Sequence, residues 1–235
     1  MPTKFSQRSY EKELLDAPYI QKELLIRNLK ELELVNTTLG GHAITITGIK
    51  QLIVDRKKTY VLADIGCGGG DALIRIAKWA RKNKFNVKLI GVDINADVIE
   101  YMNQKCRAYP EITGVVSSYK TYLGENPSVD IVHCSLFCHH LTNEELLGLF
   151  ISIQQQVKGA FLMNDLHRHW FAYYSIKFLT RLLNGSVLVK NDAPLSVLRG
   201  FKRSELKKLL HQAQLDAEIK WRWAFRYLVV KKQQN

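Results

Sequence analysis

The stretch Val61-Leu-Ala-Asp64-Ile65-Gly66-Cys67-Gly68-Gly69-Gly70-Asp71 constrains this chain more than any other. Val61 to Ile65 is apolar apart from Asp64 and reads as a short buried strand. Gly66, Gly68 and Gly70 alternate through a turn. Leu73, Ile76, Ala77 and Ala80 then recur at the spacing of one helix face. A strand, a turn without Cβ atoms and a helix start together let a ligand lie against backbone. The spacing departs from the dinucleotide fingerprint G-x-G-x-x-G, whose last glycine would fall on Asp71. An acid at the helix start disfavours a pyrophosphate, whereas Asp64 and Asp71 suit a ligand carrying an ammonium and a sulfonium.

The run Asp64-Ile-Gly-Cys-Gly-Gly-Gly70 resembles the first motif of class I S-adenosylmethionine-dependent methyltransferases. That resemblance implies an α/β, Rossmann-like sheet, mostly parallel with an antiparallel last strand, and S-adenosyl-L-methionine as cofactor. It also implies that Asp64, Gly66, Cys67, Gly68 and Gly70 lie against the cofactor.

A chain of 235 residues, 46% of them hydrophobic, can bury a good core and suits one domain with an extension. Its 34 basic and 22 acidic residues leave a net charge of +12, which could attract nucleic acid, an anionic membrane or an acidic substrate. The basic clusters Arg56-Lys57-Lys58, Arg81-Lys82, Lys202-Arg203, Lys207-Lys208 and Lys231-Lys232 sit in separate segments, as solvated helix ends do. Nucleic acid is therefore not expected as a partner. Four cysteines make no disulfide framework, which fits a reducing compartment. The polar start Met1-Pro-Thr-Lys-Phe-Ser-Gln-Arg8 is unlike a signal peptide, and no apolar run has the length of a membrane span. A cytoplasmic protein is expected.

Residues 1–59 are expected to form an N-terminal helical lid, and residues 60–235 the cofactor-binding domain. Pro18 can open a helix running to Leu39, with Asp16 near its cap and Leu25, Leu29, Leu32 and Leu39 as an apolar stripe broken by Asn36. Gly40-Gly41 would end it, and the Thr- and Ile-rich segment from His42 to Val54 is a weaker helix pattern. Two helices on the sheet edge would also explain this prefix; a lid suits a hydrophobic substrate that needs a covered site.

From residue 60 strands and helices alternate, as in a parallel sheet with right-handed crossovers. The strand Val87 to Val92 leads into Asp93 and Ile94, and a carboxylate there can accept both hydroxyls of a ribose or simply start the next helix. After the strand Ile112 to Ser117 stand Ser118 and Tyr119. Many class I methyltransferases carry there an Asp that accepts from adenine. A hydroxyl, a ring face or backbone would take over that role.

The strand Asp130 to Ser135 opens into Phe137-Cys138-His139-His140, followed by a Thr142-x-x-Glu145 capping box. Ser135 is placed with the cofactor. His133, Cys134, Cys138, His139 and His140 match none of the usual zinc spacings, and no metal is expected. One histidine of the 139–140 pair can be structural and the other a base facing cofactor and substrate. The strand Gly159 to Met163 leads to Asn164-Asp165-Leu166-His167, where Asp165 can hold a histidine's tautomer, contact substrate or cap a helix.

The helix from Trp170 to Leu183 is apolar nearly all round, which means burial, a wall for a hydrophobic substrate, or membrane attachment through Trp170 with Lys177 and Arg181. Asn191 to Ser196 reads as a loop, and Ser204 as the cap of a helix from Glu205 to Gln214. The strands Ala217 to Trp223 and Tyr227 to Lys231 read as an antiparallel hairpin with Trp221 and Trp223 on one face.

Gly40-Gly41-His42, His139-His140-Leu141, Asn164 to Arg168 and Asp192 to Val197 occur together, and in this the chain resembles bacterial small-molecule methyltransferases encoded beside type III polyketide synthases. That resemblance implies O-methylation of a phenolic, pyrone or polyketide-type hydroxyl on a hydrophobic small molecule. His139, His140 or His167 would be the base, with Asp165 as orienter. A quinone-type C-methyltransferase, an RNA methyltransferase and a non-catalytic S-adenosylmethionine-binding protein are the alternatives. Cys134-Ser-Leu-Phe-Cys138 stands where nucleobase amino-methylating enzymes carry N/D-P-P-aromatic.

Overall fold

The computed structural model describes residues 3–17, 19–155, 157 and 159–232. Seven strands form one sheet: β1 (Thr59–Ile65), β2 (Asn86–Asp93), β3 (Ile112–Val116), β4 (Ile131–Ser135), β5 (Ala160–Leu166), β6 (Glu218–Arg222) and β7 (Arg226–Lys231). Their order is β3-β2-β1-β4-β5-β7-β6. The pairings from β3 to β5 are parallel, while β7 runs antiparallel to β5 and β6 antiparallel to β7. The order reverses between β1 and β4, so the crevice outside their carboxyl ends is the natural ligand site. This is the expected α/β sheet.

The helices are α1 (Lys22–Thr38), α2 (Gly41–Leu52), α3 (Asp71–Asn83), α4 (Ala96–Lys105), α5 (Tyr119–Glu125), α6 (Asn143–Gln155), α7 (Trp170–Leu182), α8 (Val187–Arg199) and α9 (Arg203–Gln212). Alternation along each strand sends side chains to two apolar layers. One holds Val132, Phe150, Phe161, Leu206 and Val229; the other holds Ile49, Leu62, Leu73, Leu89, Leu162 and Leu228.

The prefix divides in two. α2 packs on β5 and β7, and a Cβ on Gly48 would stand 2.3 Å from the Leu162 side chain, so this helix is part of the core. Tertiary burial of Ile44 and Ile49 overrides its weak helix pattern. α1 lies outside it, touching α2, α4 and α8, and Gly40 ends α1 with a left-handed φ of 75°.

Several boundaries differ from expectation. α1 starts at Lys22, and Asp16 instead closes a 3-10 turn, Leu14–Asp16. Pro18 lies outside the described residues. Asn191 to Ser196 is helical, inside α8, because Asp192 accepts the backbone N–H groups of Leu14 and Leu15 at 2.8 and 2.9 Å and is buried there. α9 is capped at Lys202, whose N–H donates to Glu205 at 2.8 Å, so Ser204 falls within the first turn. Arg168 fixes Glu205 in that position. α7 buries Ile176 and Thr180 but exposes Trp170, Phe171, Tyr174, Phe178 and Leu182. No helix is long and apolar enough to cross a membrane among the described residues.

Candidate active site

The glycine turn joins β1 to α3 and is tied to β2, since the N–H groups of Gly66 and Cys67 donate to the Val92 carbonyl at 2.8 and 3.2 Å. Gly66 has a φ of 68°, and a Cβ there would come within 2.2 Å of the Phe137 ring. At Gly68 an added Cβ would meet only Leu29, at 3.6 Å. Gly68 is thus the open point where a ligand can approach backbone. Gly70 occupies the N-cap position of α3. The Cys67 thiol turns inward to Met102, and burial pushes its pKa well up, so this residue contributes backbone rather than sulfur chemistry.

Asp93 closes β2 and accepts from the Asn95 N–H at 3.0 Å. Burial raises its carboxyl above the ordinary range, against hydrogen bonds from Asn95 and Gly68. Asn95, not Asp93, caps α4. Ile94 beside it is exposed. Ser118 caps α5, accepting from the Thr121 N–H at 3.1 Å, so its hydroxyl already has a task. Tyr119 lays its ring edge-on to Phe137 and donates to the Glu145 carbonyl at 3.4 Å. Ser135 ends β4 opposite Asn164.

Both acids expected to face a cation are held by histidines. His133 Nδ1 donates to Asp64 at 2.7 Å in the core, and His42 Nε2 stands 3.2 Å from Asp71. Beneath them Asn164 Nδ2 donates to the Gly41 carbonyl at 2.9 Å and to Thr45 at 3.1 Å. Among the described residues Asn36 Oδ1, Asn164 Oδ1 and Arg226 Nε and Nη1 are buried without partners. Gly41 brings two of them together: its Cβ would lie within 3.1 Å of both Asn36 Oδ1 and the Arg226 guanidinium carbon. Burial pushes the Arg226 pKa down to about 10, against the pull of Asp165 and Asp71. Orphan donors beside orphan acceptors fit the carboxylate and ammonium of an amino-acid group.

The second half of the site stands where β4 and β5 end. His139 Nδ1 donates to Asp165 at 2.7 Å, and both residues are buried. Asp165 also accepts the N–H groups of Leu166 at 2.7 Å and His139 at 3.3 Å. Burial works against ionisation of Asp165, but His139 and these bonds hold its pKa below the usual range. His140 Nδ1 donates to Asp16 at 3.0 Å, and the two imidazoles lie 4.3 Å apart. Both Nε2 atoms face Glu13, each at 3.8 Å. Burial pushes the Glu13 pKa up, although His140, Ser196 (2.7 Å) and Arg199 oppose it.

Two arginines fasten this corner. Arg8 donates to the carbonyls of His139, Leu141 and Arg199 and to Asn143. Arg199 donates to the carbonyls of His139, His140 and Glu11.

Of the predicted catalytic residues, His139, His140 and Asp165 therefore meet, and His167 does not join them. It stacks among His169, Phe225 and Tyr227 and accepts from Trp221 Nε1 at 3.3 Å. Burial, then His169 and Arg168, lower its pKa to about 4, which suits it poorly to take a phenolic proton. The five-residue zinc set is dispersed: His133 serves Asp64, while Cys134 and Cys138 are buried in the opposite apolar layer. Glu13, His139 and His140 instead have ligand atoms within 4.8 Å of one another. Arg8, Glu13 and Arg199 carried no motif in the sequence. Their partners are distant along the chain: Arg8 reaches His139, Glu13 reaches Ser196, and Arg199 joins Glu11 to His139 and His140.

Residues 62–159 match the family model described as "Methyltransferase domain". No curated protein matches the sequence. Among solved structures, the plantazolicin methyltransferase BpumL in complex with SAH is 15% identical with a TM-score of 0.66, the alignment covering 91% of this chain and 95% of that one. A SAM-dependent methyltransferase from Aquifex aeolicus is 13% identical, with a TM-score of 0.61 and coverage of 92% and 100%. The citrinin polyketide synthase CMeT domain is 12% identical with a TM-score of 0.57; 76% of this chain spans about half (47%) of that one. These likenesses concern the fold. Residues 62–159 thus match a methyltransferase domain, carried on a Rossmann-like α/β sheet whose cleft fits S-adenosylmethionine as cofactor.

Proposed function

We propose that this protein transfers a methyl group from S-adenosylmethionine to a hydroxyl of a hydrophobic small molecule of the phenol, pyrone or polyketide type. The buried His139–Asp165 pair, at 2.7 Å and at the same sheet edge as the glycine turn, carries this reading. When bound, the cofactor supplies an activated methyl on a sulfonium. Gly66 and Gly68 would give it backbone to lie on, Asp93 would take the ribose hydroxyls, and Arg226 with Asn36 would hold its amino-acid end.

Asp165 accepts from His139 Nδ1, which leaves a lone pair on Nε2. That nitrogen takes the acceptor's proton as the oxygen becomes nucleophilic, and ionised Asp165 stabilises the resulting imidazolium. A phenol with a pKa of about 10 gains from such a base. His140, held by Asp16, and Glu13 form the polar rim where the hydroxyl would sit. The N-terminal segment, which brings Arg8, Glu13 and Asp16 to this rim, would cover it and exclude water, the role of a lid.

Release of S-adenosylhomocysteine should be measured across a panel of lipophilic phenols and pyrones. Acceptor-dependent release supports the reading. Cofactor binding with no release from any acceptor would identify a non-catalytic binding protein, and salt-sensitive RNA binding would favour a nucleic-acid substrate.

A further inference from the structure

We propose that the aromatic face of α7 and the β6–β7 hairpin seats this protein on an anionic lipid surface. This inference goes beyond the methyl-transfer reading and does not depend on it.

The face is built from residues that a helix in a soluble core would bury. Phe178 and Leu182 are each 67% exposed, and Trp170, Phe171 and Tyr174 are exposed on the same helix. The inward side of α7 is already complete, with Ile176 packed against Val189, Ala193 and Val197 of α8. The outward side is a second apolar surface that the described residues leave largely exposed.

The hairpin extends it. Phe225 stacks on His169 at 4.7 Å between ring centroids and also touches Phe171, Trp221 and Trp223. Trp223 is 67% exposed. One continuous patch thus carries three tryptophans, Trp170, Trp221 and Trp223. Tryptophan is the side chain that best occupies the boundary between headgroups and acyl chains.

Charge identifies the occupant. No Asp or Glu occurs from Leu166 to Asn191, while Lys177, Arg181 and Lys190 do. Lys177 stands 5.7 Å from the Tyr173 ring centroid, with Lys4 at 3.9 Å from that same ring. Long basic side chains flanking exposed aromatics can reach phosphate groups while their stems cover apolar surface. The net charge of +12 adds attraction toward an anionic leaflet. No described helix can span a membrane, so the contact is peripheral.

The placement has a consequence for the site. α7 begins just after Asp165 at the tip of β5, and Phe5 of the N-terminal segment packs on Tyr173 and Tyr174. A bilayer on this face would lie beside the corner that holds His139 and Glu13.

The test uses the full chain with vesicles of phosphatidylcholine, with and without phosphatidylglycerol, followed by sedimentation and tryptophan emission. The expected result is partitioning about tenfold stronger onto the anionic vesicles, a blue shift, and loss of the preference in high salt. The double variant Phe178→Ser/Leu182→Ser should weaken partitioning at least about tenfold with melting and cofactor binding unchanged. Lys177→Glu/Arg181→Glu should remove the anionic preference. No partitioning, or equal partitioning onto both vesicles, would overturn the proposal. So would self-association through this face: vesicle-independent dimers that Phe178→Ser/Leu182→Ser turns into monomers.

Discussion

The two halves of the cleft are built in different ways. The donor half comes mainly from a continuous run, β1–turn–α3–β2, in which backbone groups and glycines do most of the work, with Asn36 and Arg226 added at the proposed amino-acid end. The acceptor half is assembled from Arg8, Glu13, Asp16, His139, His140, Asp165, Ser196 and Arg199, contributed by segments at both ends and the middle of the chain. A site made of backbone depends on φ angles and close approach. A site made of side chains depends on tautomers and charge. Damage to the first should therefore appear as lost cofactor affinity, and damage to the second as lost turnover.

The largest expected effect lies in the acceptor half. Asp165→Asn keeps the shape but offers His139 the wrong partner, and turnover should fall by about 10³-fold with cofactor affinity retained. Equal loss of both, measured by S-adenosylhomocysteine release and calorimetric titration, would merge the halves. In the donor half, Gly66→Ala forces a left-handed φ on a Cβ that meets Phe137, so cofactor affinity should drop by about a hundredfold. Unimpaired titration of that variant would remove the turn from the binding site.

Asp93→Ala should weaken the cofactor by about tenfold, the value of hydrogen bonds to a charged acceptor. An unchanged dissociation constant would take the ribose role from Asp93. The smallest effect concerns His167, which lies outside both halves. Its folded pKa of about 4 is below the ordinary 6.5, so its contribution to stability is full above 6.5 and is lost as pH falls toward 4. Melting curves of His167→Gln should lose part of that acid sensitivity while keeping turnover. A turnover collapse would return His167 to the catalytic group.

The same contrast explains what could be read from the chain. The donor half was legible because strand, glycines and helix face follow one another within a short window, and Asp93 lies at the next strand tip. His139, His140 and Asp165 could be placed at one edge because strand tips converge there, but their pairing could not. His167 resembled them in position, yet the reversal of chain direction at the β6–β7 hairpin brings Trp221 and Phe225 over it. Asn191 to Ser196 looked like a loop, since Asn, Asp and Pro favour turns. The burial of Asp192 beneath Leu14 and Leu15 decided otherwise. Glu13 had no local signal at all, because what defines it is its distance to two histidines far along the chain.

The donor and acceptor halves divide the labour, and His139→Ala tests that division most directly when cofactor affinity and acceptor-dependent turnover are measured on one preparation. The predicted result is turnover reduced by about 10²–10⁴-fold with a cofactor dissociation constant within about threefold of the parent. Parallel loss of affinity and turnover, or turnover that survives, would contradict it.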